Sequence, residues 1–428
     1  MSQAAWVYCG AARLPVPRAD VFEPPPYLRP VADLDAALEL ALERPLGAPR
    51  LRELARGAAS VVITVPDASR PCPSAAVLGH LLSELGLAGV PDTRIAVAVG
   101  CGLHATTTPA ERAVLIGGEA CERLAVFDAQ GLETATVALG STSRGAPVHI
   151  ARRVAEAALV ITVGVVEPHL YAGFSGGVKG VAIGCAGAET IAWTHCPAFV
   201  SAAGVTLGKL RGNPFHETLL EIAARTPLGW GVNLVVDAAG RAASVAAGAP
   251  AAAQAALVSA HAGDWLREVD GPFDVVVAGV HAPKSDSLYQ ASRAATYVGL
   301  AARPALADGG LLALCADLPQ GAGPGPGERN FAEVLAGAGS AAELVARGLR
   351  EPLGPGGQRA FVVARLLERY GIGVVGAGDA GWLQSLSHLG VSAFVSVAAA
   401  VAATEAKLGR RARVLAVADA MASVVRAR

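Results

Sequence analysis

Aromatic side chains make up only 5% of the 428 residues and charged ones only 17%, against about 25% charged in an average soluble protein. Apolar residues reach 53%, far more than a disordered chain carries, so disorder is excluded. A surplus of either charge is also missing. Lys and Arg number 35, Asp and Glu 36, and the net charge is -1. That excludes the broad basic face of a general nucleic-acid binder. The seven cysteines (9, 72, 101, 121, 185, 196 and 315) include no C-x-x-C pair. Neither a disulfide framework nor a thiolate zinc site follows from them, and a reducing cytoplasm is the expected location. No apolar run approaches the ~20 residues of a membrane span. The longest, 391–403, ends at Glu405 and Lys407 and reads as a buried Ala-rich helix. Residues 1–14 lack the basic start and apolar stretch of a secretory leader.

What is present is small and aliphatic, with 50 Gly and 27 Pro interspersed. β-branched runs alternate with amphipathic stretches. Strands are expected at 60–65 (SVVITV), 94–99, 159–166 (LVITVGVV), 273–279 (FDVVVAG), 310–315, 372–375 and 413–417. Helices are expected at 31–44, 73–85, 109–124, 288–302, 359–370 and 394–408, with a last helix after 417. Thr108 reads as the N-cap of the helix at 109 and Glu111 as its capping-box partner. Continuous apolar strands between helices imply parallel sheets covered on both faces. At about 150 residues per domain, the expected fold is α/β, with two α/β domains and the active site in the cleft between them. The expected units are 1–265, 272–400 and a C-terminal segment 401–428 packing back on the first.

In such folds functional residues lie just past strand C-termini. Asp67-Ala68-Ser69-Arg70 follows the first strong strand, and Gly102-Leu103-His104 the second. Glu167-Pro168-His169 follows the third, leading into Gly173-Phe174-Ser175-Gly176-Gly177-Val178-Lys179-Gly180. His281 and Lys284 lie past the strand at 273–279. The glycine-rich run has the chemistry of a backbone anion nest beside a lysine. It matches neither G-x-x-x-x-G-K-[ST] nor G-x-G-x-x-G, so a kinase or nicotinamide-binding reading is weak. Each segment also has an ordinary reading as a turn, a loop or a satisfied imidazole. Their coincidence at strand ends of one unit raises the functional reading.

At these residues the chain resembles the nickel-pincer-dependent lactate racemase family. The run 67–73 (DASRPCP) is similar to that family's D-x-[ST]-R-P-x-P element, and 102–104 to its G-x-H element. Residues 169–179 (HLYAGFSGGVK), 186–191 with His195, 212–214 (GNP) and 288–290 (LYQ) match further elements in order. The resemblance implies a pyridinium mononucleotide whose two sulfur-bearing arms and ring carbon hold Ni²⁺. It implies a thioamide link at Lys179 and His195 as metal ligand, which suits the square-planar preference of Ni(II). It places Asp67, Ala68, Ser69, Arg70, Ser175, Gly176 and Gly177 in cofactor binding. His104 and His169 become proton-transfer residues, with Gln290 and Arg293 on the substrate.

The implied activity is racemisation or epimerisation of a 2-hydroxy acid by hydride removal through a 2-keto acid. The implied partners are the substrate and the enzymes of cofactor synthesis. Arg293 stands where the family has lysine, Ala105 where arginine is common, and Ile183-Gly184-Cys185 where Pro-Gly is usual. A planar guanidinium at 293 suits a carboxylate and points to a substrate other than lactate. Two other readings compete. One is a non-catalytic carrier of the same cofactor. The other is a zinc hydrolase using His104, His169 and His195, although no H-E-x-x-H accompanies them.

Overall fold

The computed structural model describes residues 4–131, 133–378 and 381–428. The β-branched runs form the inner strands of two sheets. The first sheet has six strands, in the order Ala242–Gly248, Leu228–Val236, Leu159–Val165, Val61–Pro66, Ile95–Gly102 and Ala125–Gln130. Val61–Pro66 is parallel to both neighbours, and only the edge strand Ala242–Gly248 runs antiparallel. Successive residues point to opposite faces. Val61, Ile63, Val65, Val97 and Val99 pack into one helical layer, and Val62, Ala96, Ala98 and Val160 into the other. Burial on both faces is why these runs are unbroken by charged residues, and why their threonines, Thr64 and Thr162, bond to each other.

The second sheet is built on Phe273–His281, flanked by Leu306–Cys315, Gly371–Val375 and Val391–Phe394 on one side. On its other side lies Val414–Val417. The N-terminal strand Trp6–Gly10 also joins Phe273–His281, and Val21–Glu23 pairs with Val414–Val417. The strands between Trp6 and Glu23 therefore belong to the second sheet, where contiguity along the chain suggested the first. Short strands near a terminus carry no local mark of which sheet edge they will complete. The C-terminal segment differs as well. Its strand at 414–417 is part of the second sheet, and what was expected as a last helix is a strand, Val424–Ala427, paired with Leu266–Val269. The apolar run from 391 divides into a strand, Val391–Phe394, and a helix, Val397–Leu408, that Ser396 caps. The helix expected over 109–124 breaks at Gly117 (φ 88°) into Pro109–Ile116 and Gly118–Arg123. The capping box of Thr108 and Glu111 is present. No helix among the described residues is long and apolar enough to cross a membrane.

Because the inner strands of the first sheet are parallel, residues 67–70, 104 and 167–179 emerge at one edge. The last of these segments is anchored by Gly173 (φ 77°), where a Cβ would stand 1.9 Å from the Lys209 carbonyl oxygen. Gly173→Ala is expected to destabilise the apoprotein by about 3 kcal/mol, through left-handed strain and overpacking. Chemical denaturation reads this, and an unchanged midpoint would contradict the packing described.

Candidate active site

Asp67, just past the strand Val61–Pro66, is almost wholly buried. Its Oδ1 accepts from the Ser69 backbone N–H at 3.1 Å and the Ser69 hydroxyl at 2.5 Å. Its Oδ2 lies 2.6 Å from His104 Nδ1. Burial raises the Asp67 pKa, but the His104, Ser69 and Arg70 interactions outweigh it and hold the carboxyl below its ordinary value. An ionised carboxylate only accepts, so His104 Nδ1 carries a proton, and in the neutral ring Nε2 is the nitrogen with the lone pair. The loop after His104 is held by Thr107, whose N–H and hydroxyl donate to Asp128, and by Arg112, which bonds both Thr107 and Asp128.

His169 is held the opposite way. Its Nδ1 accepts from the backbone N–H groups of Tyr171 (3.4 Å) and Ala172 (3.2 Å). A neutral ring so placed carries its proton on Nε2. Burial and the charges of Lys179, Arg70, His195 and Arg293 push its pKa well below 6.5. The two imidazoles thus present a lone pair at residue 104 and an N–H at residue 169.

Lys179 opens the short helix Lys179–Ala182. Burial, then Arg70, lowers its ammonium pKa to about 7, against the opposing pull of Glu167 and Asp67. A large fraction is therefore free amine at neutral pH, the nucleophilic form. Competitive labelling of the apoprotein with trace acetic anhydride should show Lys179 half-reactive near pH 7 and level above it. A climb continuing to pH 10 would count against this.

His195 terminates the helix Ala188–Thr194, and its Nδ1 lies 3.1 Å from the Ile191 carbonyl. A carbonyl only accepts, so Nδ1 donates and Nε2 is left with its lone pair. Burial and Lys179 lower the pKa to about 4. The ring stays neutral and its tautomer is fixed by a backbone partner, as in many metal-ligating histidines. Tyr171 lies between the two imidazoles, with ring centroids 6.2 Å from His169 and 5.8 Å from His195.

Ser175, Gly176 and Gly177 face inward. The Ser175 hydroxyl donates to the Val165 carbonyl at 2.7 Å and accepts from the Glu167 N–H. Gly177 N–H donates to Asn233 Oδ1 at 2.7 Å. A Cβ on Gly177 would meet Gln254 Oε1 at 2.5 Å. The groups of this turn serve the scaffold that aims Lys179.

Arg70 forms an ion pair with Glu167. Burial opposes ionisation of Glu167, but Arg70, Lys284, Lys179 and Arg293 together hold its pKa below the ordinary value. Glu167 is thus the central carboxylate of a cationic cluster. Its position past a strand end was the only signal for it in the sequence. From the second sheet's side, the helix Leu288–Gly299, capped by Ser287, brings Gln290 and Arg293 one turn apart on one face. Tyr297 of the same helix donates to the Pro168 carbonyl at 2.9 Å. Lys284 influences Glu167, and burial raises the pKa of Asp419 beside it. His281 instead bonds the Ala282 carbonyl and packs on Tyr8.

Cys185 is fully buried, its thiol pushed up to about 12, which fits an inert packing residue. Among the described residues, no group of three or more His, Cys, Asp or Glu is placed to hold a metal ion. The three-histidine zinc site is therefore not formed. A single neutral imidazole fits a metal whose other donors come with a cofactor.

Fold and site define an α/β protein in which Lys179 and a histidine with an open Nε2 lie within electrostatic reach of His169, past the strand end next but one to that of the oppositely held His104. Residues 12–206 match the family model described as the lactate racemase N-terminal domain. A lactate racemase of Thermoanaerobacterium thermosaccharolyticum is 29% identical over 331 residues, 76% of each chain. One from Lactiplantibacillus plantarum is 33% identical over 201 residues, 47% of each chain. The solved lactate racemase apoprotein from T. thermosaccharolyticum superposes with a TM-score of 0.90 at 22% identity, over 99% of this chain and 100% of that one. A Thermotoga maritima protein gives 0.65 at 14% identity, over 91% and 98%. The last two likenesses are of fold. Residues 12–206 thus match a lactate racemase N-terminal domain, and the chain is similar to lactate racemases over about three quarters of its length.

Proposed function

We propose that the protein is an isomerase that inverts the hydroxyl-bearing carbon of a 2-hydroxy acid, using a nickel-pincer pyridinium mononucleotide linked to Lys179 and ligated by His195. The observation that carries this reading is the placement of half-buried Lys179, at the start of its helix, within electrostatic reach of half-buried His195, whose Nδ1 is tied to the Ile191 carbonyl so that Nε2 is open. The first can form an amide-type bond at neutral pH, and the second can ligate a metal without first losing a proton. When bound, such a group serves as hydride acceptor and donor, so that the substrate passes through a flat 2-keto acid open on both faces.

The chain's own residues do the rest. Arg293 and Gln290 hold the carboxylate beside the reacting carbon, a guanidinium suiting it as a two-pronged donor. His104 Nε2 accepts the hydroxyl proton, and Asp67 stabilises the imidazolium that results. His169 Nε2–H meets the substrate oxygen on the other side. Asp67 is in this reading a positioning residue for His104, in addition to its place in the loop 67–70. Arg70 and Glu167 keep that loop and the 167–179 segment in register.

The test is intact mass and nickel analysis of protein produced together with the cofactor-synthesis enzymes, then chiral chromatography of 2-hydroxy acids. A covalent increment on Lys179, about one nickel per chain and inversion of a 2-hydroxy acid are expected. No increment and no nickel would sink the proposal. An increment without inversion of any substrate would mark a carrier. The Asp67–His104 pair favours the enzyme, since a carrier has no use for an oriented base.

A further inference from the structure

Arg359 lies near the start of the helix Gly357–Leu367, which packs on the helix carrying Gln290 and Arg293. Its side chain is 8% exposed. Among the described residues its side chain makes one hydrogen bond, a long one of 3.5 Å to the Thr296 hydroxyl oxygen. That hydroxyl's own proton goes to the Arg293 carbonyl. Among the described residues no carboxylate pairs with Arg359 or with Arg293. Arg293 Nε is shielded from water and lacks a partner, and so does the hydroxyl of buried Tyr171.

These three groups are near one another. The charges of Arg359 and Arg293 both act on the Tyr171 phenol, and Arg359 acts on Arg293 and on His195. Burial and then Arg359 lower the Arg293 pKa to about 10. Buried Arg359 and Tyr171 thus lie near half-buried Arg293, with the Tyr171 hydroxyl and Arg293 Nε unpartnered among the described residues. Buried charge without a counter-ion is costly, and a guanidinium carries five donors that only acceptors satisfy. One carboxylate next to the reacting carbon answers Arg293 and leaves Arg359 and the Tyr171 hydroxyl unmatched.

We propose that Arg359 and the Tyr171 hydroxyl bind a second carboxylate, and that the substrate is a short 2-hydroxy dicarboxylic acid. Arg293 and Gln290 then take the carboxylate on the hydroxyl-bearing carbon, and Arg359 the distal one. This rests on the 2-hydroxy acid reading, but binding can be measured without turnover.

Calorimetry on the apoprotein with malate, lactate and nicotinic acid mononucleotide is the first arm. Malate is expected to bind about 100-fold tighter than lactate, the difference of one charge-assisted carboxylate pairing. Arg359→Leu should remove most of that difference, and Arg359→Lys should restore part of it. The second arm is chiral chromatography of the cofactor-loaded protein. The malate-to-lactate ratio of kcat/KM should fall about 100-fold in Arg359→Leu. Equal malate and lactate affinity in the wild type would overturn the proposal. So would an Arg359→Leu variant that loses mononucleotide binding and keeps its malate preference, since Arg359 would then serve a phosphate. Failure to turn over any 2-hydroxy acid, with malate preference intact in the apoprotein, would overturn the racemase reading and leave the dicarboxylate site standing.

Discussion

Lys179→Ala is expected to reduce inversion of the 2-hydroxy acid to background, a loss on the order of 10⁴–10⁶-fold, as when the central group of a catalytic unit is removed. The physical argument is specific to the amine. Burial and Arg70 lower its pKa to about 7, so that near neutrality it is a nucleophile where an exposed lysine is a cation. Lys179→Arg keeps a positive charge, but a guanidinium is protonated at all working pH values and is no nucleophile. It should therefore fail as completely as alanine. If Lys179 served only as a charge, arginine would rescue. Intact mass checks this directly: wild-type protein made with the cofactor-synthesis enzymes should carry the increment, and neither variant should. The side chain opens a helix of only four residues, so the apoprotein melting temperature should change little.

His104→Ala and His169→Ala are each expected to cost on the order of 10²–10⁴-fold in kcat/KM, the range for a lost general acid or base. If the two substrates are enantiomers, their free energies are equal. The loss in kcat/KM must then be the same in both directions, and any asymmetry between the histidines must show in how it divides between kcat and KM. An asymmetry is expected because the rings are held in opposite tautomers. Asp67 accepts from His104 Nδ1 at 2.6 Å, whereas His169 Nδ1 accepts from two backbone N–H groups. Asp67→Asn offers an amide N–H to His104 Nδ1, which favours the tautomer with no lone pair on Nε2. It should cost nearly as much as His104→Ala, and the double variant should be no worse than either alone. Losses that simply multiply would show that Asp67 acts apart from His104.

Much of this site was legible in the chain. The strands 61–66, 95–102 and 159–165 announce themselves as β-branched runs too apolar to face water, and the loops after them hold Asp67, Arg70, His104, His169 and Lys179. Thr108 and Glu111 marked a helix start because a capping box is complete within four residues. Many readings that depend only on neighbours in sequence hold in the structure, though the helix expected over 109–124 breaks at Gly117 and the run from 391 divides into a strand and a helix. Other failures concern pairing between distant segments. The strand Trp6–Gly10 completes a sheet whose central strand begins at Phe273. Residues 424–427 form a strand because Leu266–Val269 offers them an edge.

The sequence by itself determined the α/β alternation, the ends of the inner strands and the residue types that gather past them. These follow from side-chain period and backbone preference, which act over a few residues. Only the tertiary structure decided the chemistry of each group. It set Asp67 on one nitrogen of His104, backbone donors on one nitrogen of His169 and a carbonyl on one nitrogen of His195. It also buried Arg359 beside Arg293 with no carboxylate paired to it among the described residues. Protonation state and unmet charge depend on what lies within a few ångströms in space, and the chain brings those neighbours from as far apart as residues 67 and 359.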